Sequence, residues 1–379
     1  MYERHAGARI VAVATALALA LALAACGGSA SQAPASQVPA ATTDAAATEA
    51  PTPVPTPAEL TGTLLFFGYT DAFDPLLLDP FSKAHPNLKV ETSAIASDTE
   101  AAAKLKGGFK ADVVNSCVGP IDQEIADGSL QPIDTTRIAG WDSVYPFFKA
   151  IPGVVVDGKT YMIPMVGGAY GIVYRPSAFP TPPTSWKDLI DTTKRITAVD
   201  DPLTSIIVTA LGLGFNPPQS MTADQLQQVK DALIAQKKHV VTYFQGSAVN
   251  DLWANKEVDI VASDITLVNQ VADTGGDAAF APMTPPLAWT CGYSIGAKAQ
   301  NLDAAYALIS HYLTPAVQDS QATRFSYLVS NQESAKALPS DVIANTGQDN
   351  VASYRDAATF GLPANFDAWA EVWQAVKAN

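Results

Sequence analysis

Tyr69, Thr70 and Asp71 stand in direct succession behind the apolar run Leu64–Phe67 and Gly68. A ring, a hydroxyl and a carboxylate at the end of a strand are groups that hold a ligand, and open α/β sheets bind ligands just outside the carboxyl ends of their strands. The stretch is read as the floor of a binding cleft. Other reactive residue types are placed less well. Gly292-Tyr293-Ser294-Ile295-Gly296 fits the G-x-S-x-G pattern of serine hydrolases, which requires a strand, a sharp turn at the serine and an immediate helix. Ser294 instead falls within an alternating strand pattern, and a triad would need His311 and Asp303, which lie close together on one later helix. His5, His85, His239 and His311 are scattered without metal-ligand spacing. No G-x-x-x-x-G-K-[ST] loop is present, so ATP hydrolysis is not expected of this chain. The sequence calls for no metal and no cofactor.

The elements that must position these residues alternate between strand and helix from Leu60 onward, the pattern of a layered α/β architecture. Leu64–Phe67 has the length and composition of a buried parallel strand. Behind it come a helix from Pro75, a strand over Leu88–Ile95, an Ala-rich helix capped by Asp98, and the strand Ala111–Asn115. Asp157-Gly158 marks a hairpin. Gly167–Tyr174 reads as the crossing into a second set of βα units. These include a strand over Arg195–Val199 ending in Asp200-Asp201, the helix Leu203–Leu213, and a strand over Val258–Ala262 with Ser263-Asp264 at its tip. Near Trp289 the chain returns to the first set. Asn301 and Thr314-Pro315 open two more helices, and Phe366–Ala378 closes the chain as an amphipathic helix.

The 379 residues carry a formal net charge of −14 without a Lys/Arg cluster. That balance argues against a nucleic-acid or anionic-membrane surface and is compatible with a cationic small molecule. Arg4 and Arg9 precede the apolar run Ile10–Ala25, which ends in Leu23-Ala24-Ala25-Cys26. Residues 1–25 are read as a signal peptide, too short for a lasting transmembrane helix, and the ending resembles the bacterial lipobox with Cys26 as the acylated residue. Residues 26–59, rich in Ala, Ser, Thr and Pro, are read as a linker unable to bury a core.

The collinear set LLFFGYTDAFDPLLLDPFSKAHPNLKV, AAAKLKGGFKADVVNS, DGSLQPID, YMIPMVGGAYGIVY and SWKDLID, with the C-terminal helix, resembles the extracytoplasmic spermidine/putrescine-binding proteins of ABC importers. The likeness runs from Leu60 to the C-terminus. It implies an α/β, type II-like periplasmic-binding-protein fold of two lobes, with hinge crossovers and an interlobe cleft. Residues 60–168 and 288–331 would form lobe 1, and 169–287 and 332–379 lobe 2. The implied ligand set is Tyr69, Thr70, Asp71, Asp201, Ser247, Asp264, Trp289 and Tyr327, the acids balancing charge and the rings enclosing a carbon chain. The resemblance also implies a monomeric, lipid-anchored protein outside the cytoplasm, delivering a polyamine or similar cation to an ABC permease with a separate ATPase. It touches the membrane through its anchor and binds no nucleic acid. Cys117 and Cys291 would fall at cleft-edge strand ends, where a disulfide between them is expected in an oxidising compartment.

Departures from the family pattern leave other readings open. Cys291 and Thr204 stand where acids are common, Gly119 and Pro120 replace an aromatic pair, and Asp264 replaces an aromatic residue. A neutral or anionic solute on the same fold is one alternative. A secreted hydrolase using Ser294 and a non-transport adhesion or sensor domain are two others.

Overall fold

Leu64, Phe66 and Phe67 are buried in strand β1 (Gly62–Gly68), which pairs in parallel with β2 (Leu88–Ala94) on one side and β3 (Val113–Cys117) on the other. The computed structural model describes residues 59–95, 97–246, 248–272 and 276–379. The signal peptide, Cys26, nearly all of the linker and Ser247 therefore lie outside the described residues. Five further strands complete the main path of the sheet: β4 (Ile163–Tyr174), β5 (Ile196–Val199), β6 (Val240–Phe244), β7 (Ile260–Asp264) and β8 (Leu287–Gly296). Their order is β2-β1-β3-β8-β4-β7-β5-β6.

The two largest hydrophobic cores among the described residues lie on different halves of this sheet. Phe66, Phe81, Tyr293 and Tyr312 belong to the first, and Trp186, Ile206, Trp369 and Trp373 to the second. The division falls within β4: Ile163 and Val166 lie in the first core, Ile172 and Tyr174 in the second. β8 runs antiparallel to β4, with Leu287–Ala288 opposite Tyr170–Ala169, and the short strand Ala358–Thr359 pairs with the same end of β8. These three segments cross between the lobes. Burial on both sides of the crossings, at roughly 25 cal/mol per Å² of apolar surface, lets each half hold its own shape.

The segment 332–346, expected in the second lobe, packs on the first. Ala335 and Leu338 cluster with Ala322 and Val329, and Tyr145, Val342 and Ile343 pack against them. The two short helices there, Gln332–Ala337 and Ser340–Thr346, carry few apolar residues, so periodicity gave them no lobe assignment.

Caps explain several element starts. Thr222 caps the helix Ala223–Gln236 through a reciprocal box with Gln225, and Asn301 accepts from the Ala304 amide. Asp98 does not cap its helix as expected. Ser97 does, accepting from Glu100 N at 3.2 Å, because a serine in extended conformation one residue earlier fills the same role and leaves the Asp98 carboxylate for other work. Asp201 and Asp200 divide their tasks similarly. Asp201 caps the helix Pro202–Gly212 through Thr204 N at 2.7 Å, whereas Asp200 accepts from Trp373 Nε1 and Lys377 Nζ and anchors the C-terminal helix.

Cys117 and Cys291 are directly opposite in the β3–β8 ladder and form a disulfide with Cα atoms 4.0 Å apart. A non-reducing peptide map is expected to yield one cross-linked species containing both cysteines. Alkylation of both after denaturation without reductant would contradict the pairing.

Candidate functional site

The strand ends at the crossings converge on a cavity of about 340 Å³ between the two lobes. From the first lobe come Tyr69, Asp98 and the Cys117–Cys291 disulfide; from the second come Asp201 and Asp264; Trp289 and Tyr170 stand on the crossing strands, and Tyr327 completes the wall. A smaller adjoining cavity of about 180 Å³ shares Tyr69, Trp289, Cys291 and Tyr327 and is bounded by Asp71. Of the expected ligand residues, Tyr69, Asp201, Asp264, Trp289 and Tyr327 line the larger cavity, and Asp71 lines the smaller. Thr70 does not join them. It starts the 3-10 turn Thr70–Phe73, is exposed, and lines neither cavity, because the tight turn rotates alternate side chains outward.

Local chain geometry sets each group. Gly68 ends β1, the 3-10 turn follows at once, and Asp74 caps the next helix by accepting from Leu76 N at 2.8 Å, so Tyr69 and Asp71 are held at the strand end. Tyr69 donates to Asp98 Oδ1 at 2.6 Å, and Tyr327 donates to Asp71 Oδ2 at 3.0 Å. Trp289 and Tyr327 meet edge to face with ring centroids 5.1 Å apart. Gly168 makes room for the indole: a Cβ there would lie 2.7 Å from Trp289 Nε1. That N–H is buried without a hydrogen-bond partner and lies close enough to Asp264 to favour its charge. Gly119, which also lines the cleft, lets the Phe360 backbone approach. It accepts from Leu362 N at 3.4 Å, and a Cβ on it would come within 3.0 Å of the Phe360 carbonyl oxygen.

The electrostatics of the site are one-sided. Burial raises the pKa of Asp71, Asp201 and Asp264 above the ordinary carboxyl value, and pushes Asp98 up to about 6, with the charge of Asp201 across the cleft adding to it. Behind Asp98, the fully buried Glu124 accepts a long hydrogen bond from Ser116 and is pushed up to about 8, first by burial and then by Asp98. Among the described residues, no Lys, Arg or His lines either cavity.

Three other acids of the fold, unlike Glu124, are compensated. Asp259 binds Arg195 at 2.7 Å and lies 3.8 Å from Arg175, Asp112 accepts from three backbone amides, and Asp200 holds Lys377. A carboxylate withdrawn from water without a cationic partner is costly to ionise. Asp98 was missed in the sequence as a site residue because its position at the start of a helix offered a sufficient local explanation.

Ser294 is placed differently from a hydrolase nucleophile. It lies within β8, wholly buried, with its hydroxyl unpartnered, while His311 contacts the Leu77 carbonyl oxygen at 2.8 Å and Asp303 pairs with Arg137 at the surface. Among the described residues neither His311 nor Asp303 is placed to activate Ser294.

Comparison with known proteins agrees with this layout. The bacterial extracellular solute-binding protein family matches residues 68–319. Spermidine/putrescine-binding periplasmic protein 1 of Haemophilus influenzae is 24% identical over 303 residues, covering 75% of this chain and 80% of the relative. Among solved structures, a putative spermidine/putrescine ABC transporter from Listeria monocytogenes superposes with a TM-score of 0.73 at 20% identity, over 83% of this chain and 98% of that one. The binding protein MotA from A. tumefaciens B6, in complex with glucopine, gives 0.68 at 18% identity, over 83% and 100%. The structural likenesses establish the fold: two lobes, hinge crossovers and a cleft. With the family match spanning well over half of the sequence, the chain belongs to the bacterial extracellular solute-binding proteins.

Proposed function

We propose that this protein is the extracytoplasmic binding component of an ABC importer and that its solute is a polyamine, such as putrescine or spermidine, or a similar small organic cation. The observation that carries the reading is the set of four partly buried carboxylates, Asp71, Asp98, Asp201 and Asp264, gathered around two adjoining cavities with aromatic walls and no lining cation among the described residues. Curated relatives named as spermidine/putrescine-binding proteins support it at low identity. Tyr69, Trp289 and Tyr327 are suited to the methylenes and to cation–π contacts worth about 0.5–2 kcal/mol each. Ser247 keeps its place in this proposal on the family resemblance alone.

The mechanism is closure. Asp71 and Asp98 belong to the first lobe, Asp201 and Asp264 to the second, so a diamine reaching both sides favours the conformation in which the lobes approach, by its differential affinity for that state. The closed protein then presents its solute to a permease, with ATP hydrolysis on a separate chain. Among the described residues no helix is long and apolar enough to cross a membrane; acylation at Cys26 would tether the protein outside the cytoplasm.

A thermal-shift panel of putrescine, spermidine, amino acids and thiamine is expected to show stabilisation by an amine. Silence toward every amine in it would contradict the cation reading. Asp201→Asn retains a side chain able to cap its helix but removes the charge, and is expected to weaken spermidine by about 10- to 100-fold, roughly 1.5–3 kcal/mol. Unchanged affinity in a calorimetric titration would remove Asp201 from the site. Affinity also depends on protonation. Asp98, with a pKa of about 6, is mostly ionised at pH 7.5 and becomes neutral as the pH falls through that value. Spermidine binding should therefore weaken from pH 7.5 to pH 5, and Asp98→Asn should flatten that dependence; binding that strengthens on acidification would have the wrong sign.

A further inference from the structure

A second interlobe cavity of about 460 Å³ lies beyond the wall formed by Tyr170, Asp264 and Trp289, the three residues whose side chains also line the main cleft. Its first-lobe wall comes from Ser326, the helix end Ala344–Thr346 and Tyr354; its second-lobe wall comes from Thr266, Phe280, Pro282, Met283 and Thr284. At its side Asn269 Nδ2 donates to Ser326 Oγ, a direct hydrogen bond from one lobe to the other. Asp264 is its one charged lining residue, and the remainder combines an apolar patch, Phe280, Met283 and Pro286, with hydroxyls and the Asn345 amide.

The chemistry of the two cavities differs in one decisive respect. The main cleft and its smaller neighbour carry Asp71, Asp98 and Asp201 in addition to Asp264, and suit free ammonium groups. The second cavity has no acid other than the one on the shared wall, so a further ammonium placed deep within it would be desolvated without a partner. An uncharged group bearing a carbonyl or hydroxyl would instead meet donors and acceptors there, with apolar surface for its carbon atoms. Asp264 receives Thr266 N at 3.0 Å and lines both spaces, so it is the one acid common to the main cleft and the second cavity.

We propose that the second cavity is a subsite for an uncharged, hydrogen-bonding substituent on the amine, so that the protein accepts N-acylated polyamines with the acyl group beyond Asp264 and the free ammonium end between Asp98 and Asp201. This rests on the cation reading of the main cleft and extends it from the bare amine to a substituted one.

Calorimetric titrations of putrescine, spermidine and N-acetylspermidine into wild type and Ala344→Trp test it. Ala344 is an exposed helix residue that lines only the second cavity, so the indole fills that space without entering the main cleft. Wild type is expected to bind all three. The variant should keep its putrescine affinity within about twofold and lose N-acetylspermidine by at least about tenfold. Asn345→Ala, which removes an amide without adding bulk, should weaken N-acetylspermidine alone and stands as a second route should the tryptophan disturb folding. Putrescine and spermidine binding without N-acetylspermidine, or equal N-acetylspermidine affinity in wild type and both variants, would overturn the subsite while leaving the cation reading intact. Absence of binding by all three amines would overturn both.

Discussion

Asp98 and Asp201 line the same cleft from opposite lobes, where among the described residues no Lys, Arg or His stands, and the effect of the Asp201 charge on Asp98 is the constraint on which the functional account depends. Each lies where burial already penalises charge, and the Asp201 carboxylate adds to the rise at Asp98. Drawing the lobes together without a guest brings negative groups closer in a medium that screens them poorly. A ligand with amino groups at both ends converts the same arrangement into two charge-assisted contacts. On the proposed function the acids would thereby couple occupancy to closure, which is what a receptor needs if a permease is to distinguish its loaded form.

The remainder of the fold serves to make that repulsion affordable and well aimed. Fully buried Asp112 is satisfied by the amides of Leu65, Gln300 and Asn301 and so ties β1 to the helix Leu302–Tyr312. Arg195 and Arg175 satisfy Asp259 beneath β5 and β7. Asp112 and Asp259 are thus satisfied within their own lobes, away from the cleft. At the crossings, β4 and β8 carry glycines where bulk would collide, and the Cys117–Cys291 disulfide joins β3 to β8 at the cleft wall. Rigid lobes joined by a few extended segments move about those segments rather than deforming internally.

Much of this was legible in the residues themselves. The run Leu64–Phe67 announced a buried parallel strand because nothing else so short buries so much apolar surface, and Tyr69 and Asp71 followed from its end. Asp201 and Asp264 were visible as strand-tip acids, although whether they capped helices or faced a ligand was not; Asp201 does one and lines the cavity as well. The limits are equally physical. Asp98 looked like a cap because Ser97, one residue earlier, is the same class of residue, and only the turn geometry decides between them. Thr70 was grouped with its neighbours although a 3-10 turn separates adjacent side chains. The placement of 332–346 on the first lobe depends on long-range packing against Ala322 and Val329, which no local pattern encodes.

Proton exchange on binding probes the central claim most directly, since it reports the sign of the charge that enters the cleft. Calorimetric titration of spermidine at pH 6.5, repeated in buffers of different ionisation enthalpy, measures it. A cation docking beside Asp98 lowers the carboxyl's pKa from about 6, so the account predicts net proton release. Binding with no proton linkage, or with proton uptake, would show that the carboxylates of the cleft do not face the solute as charges.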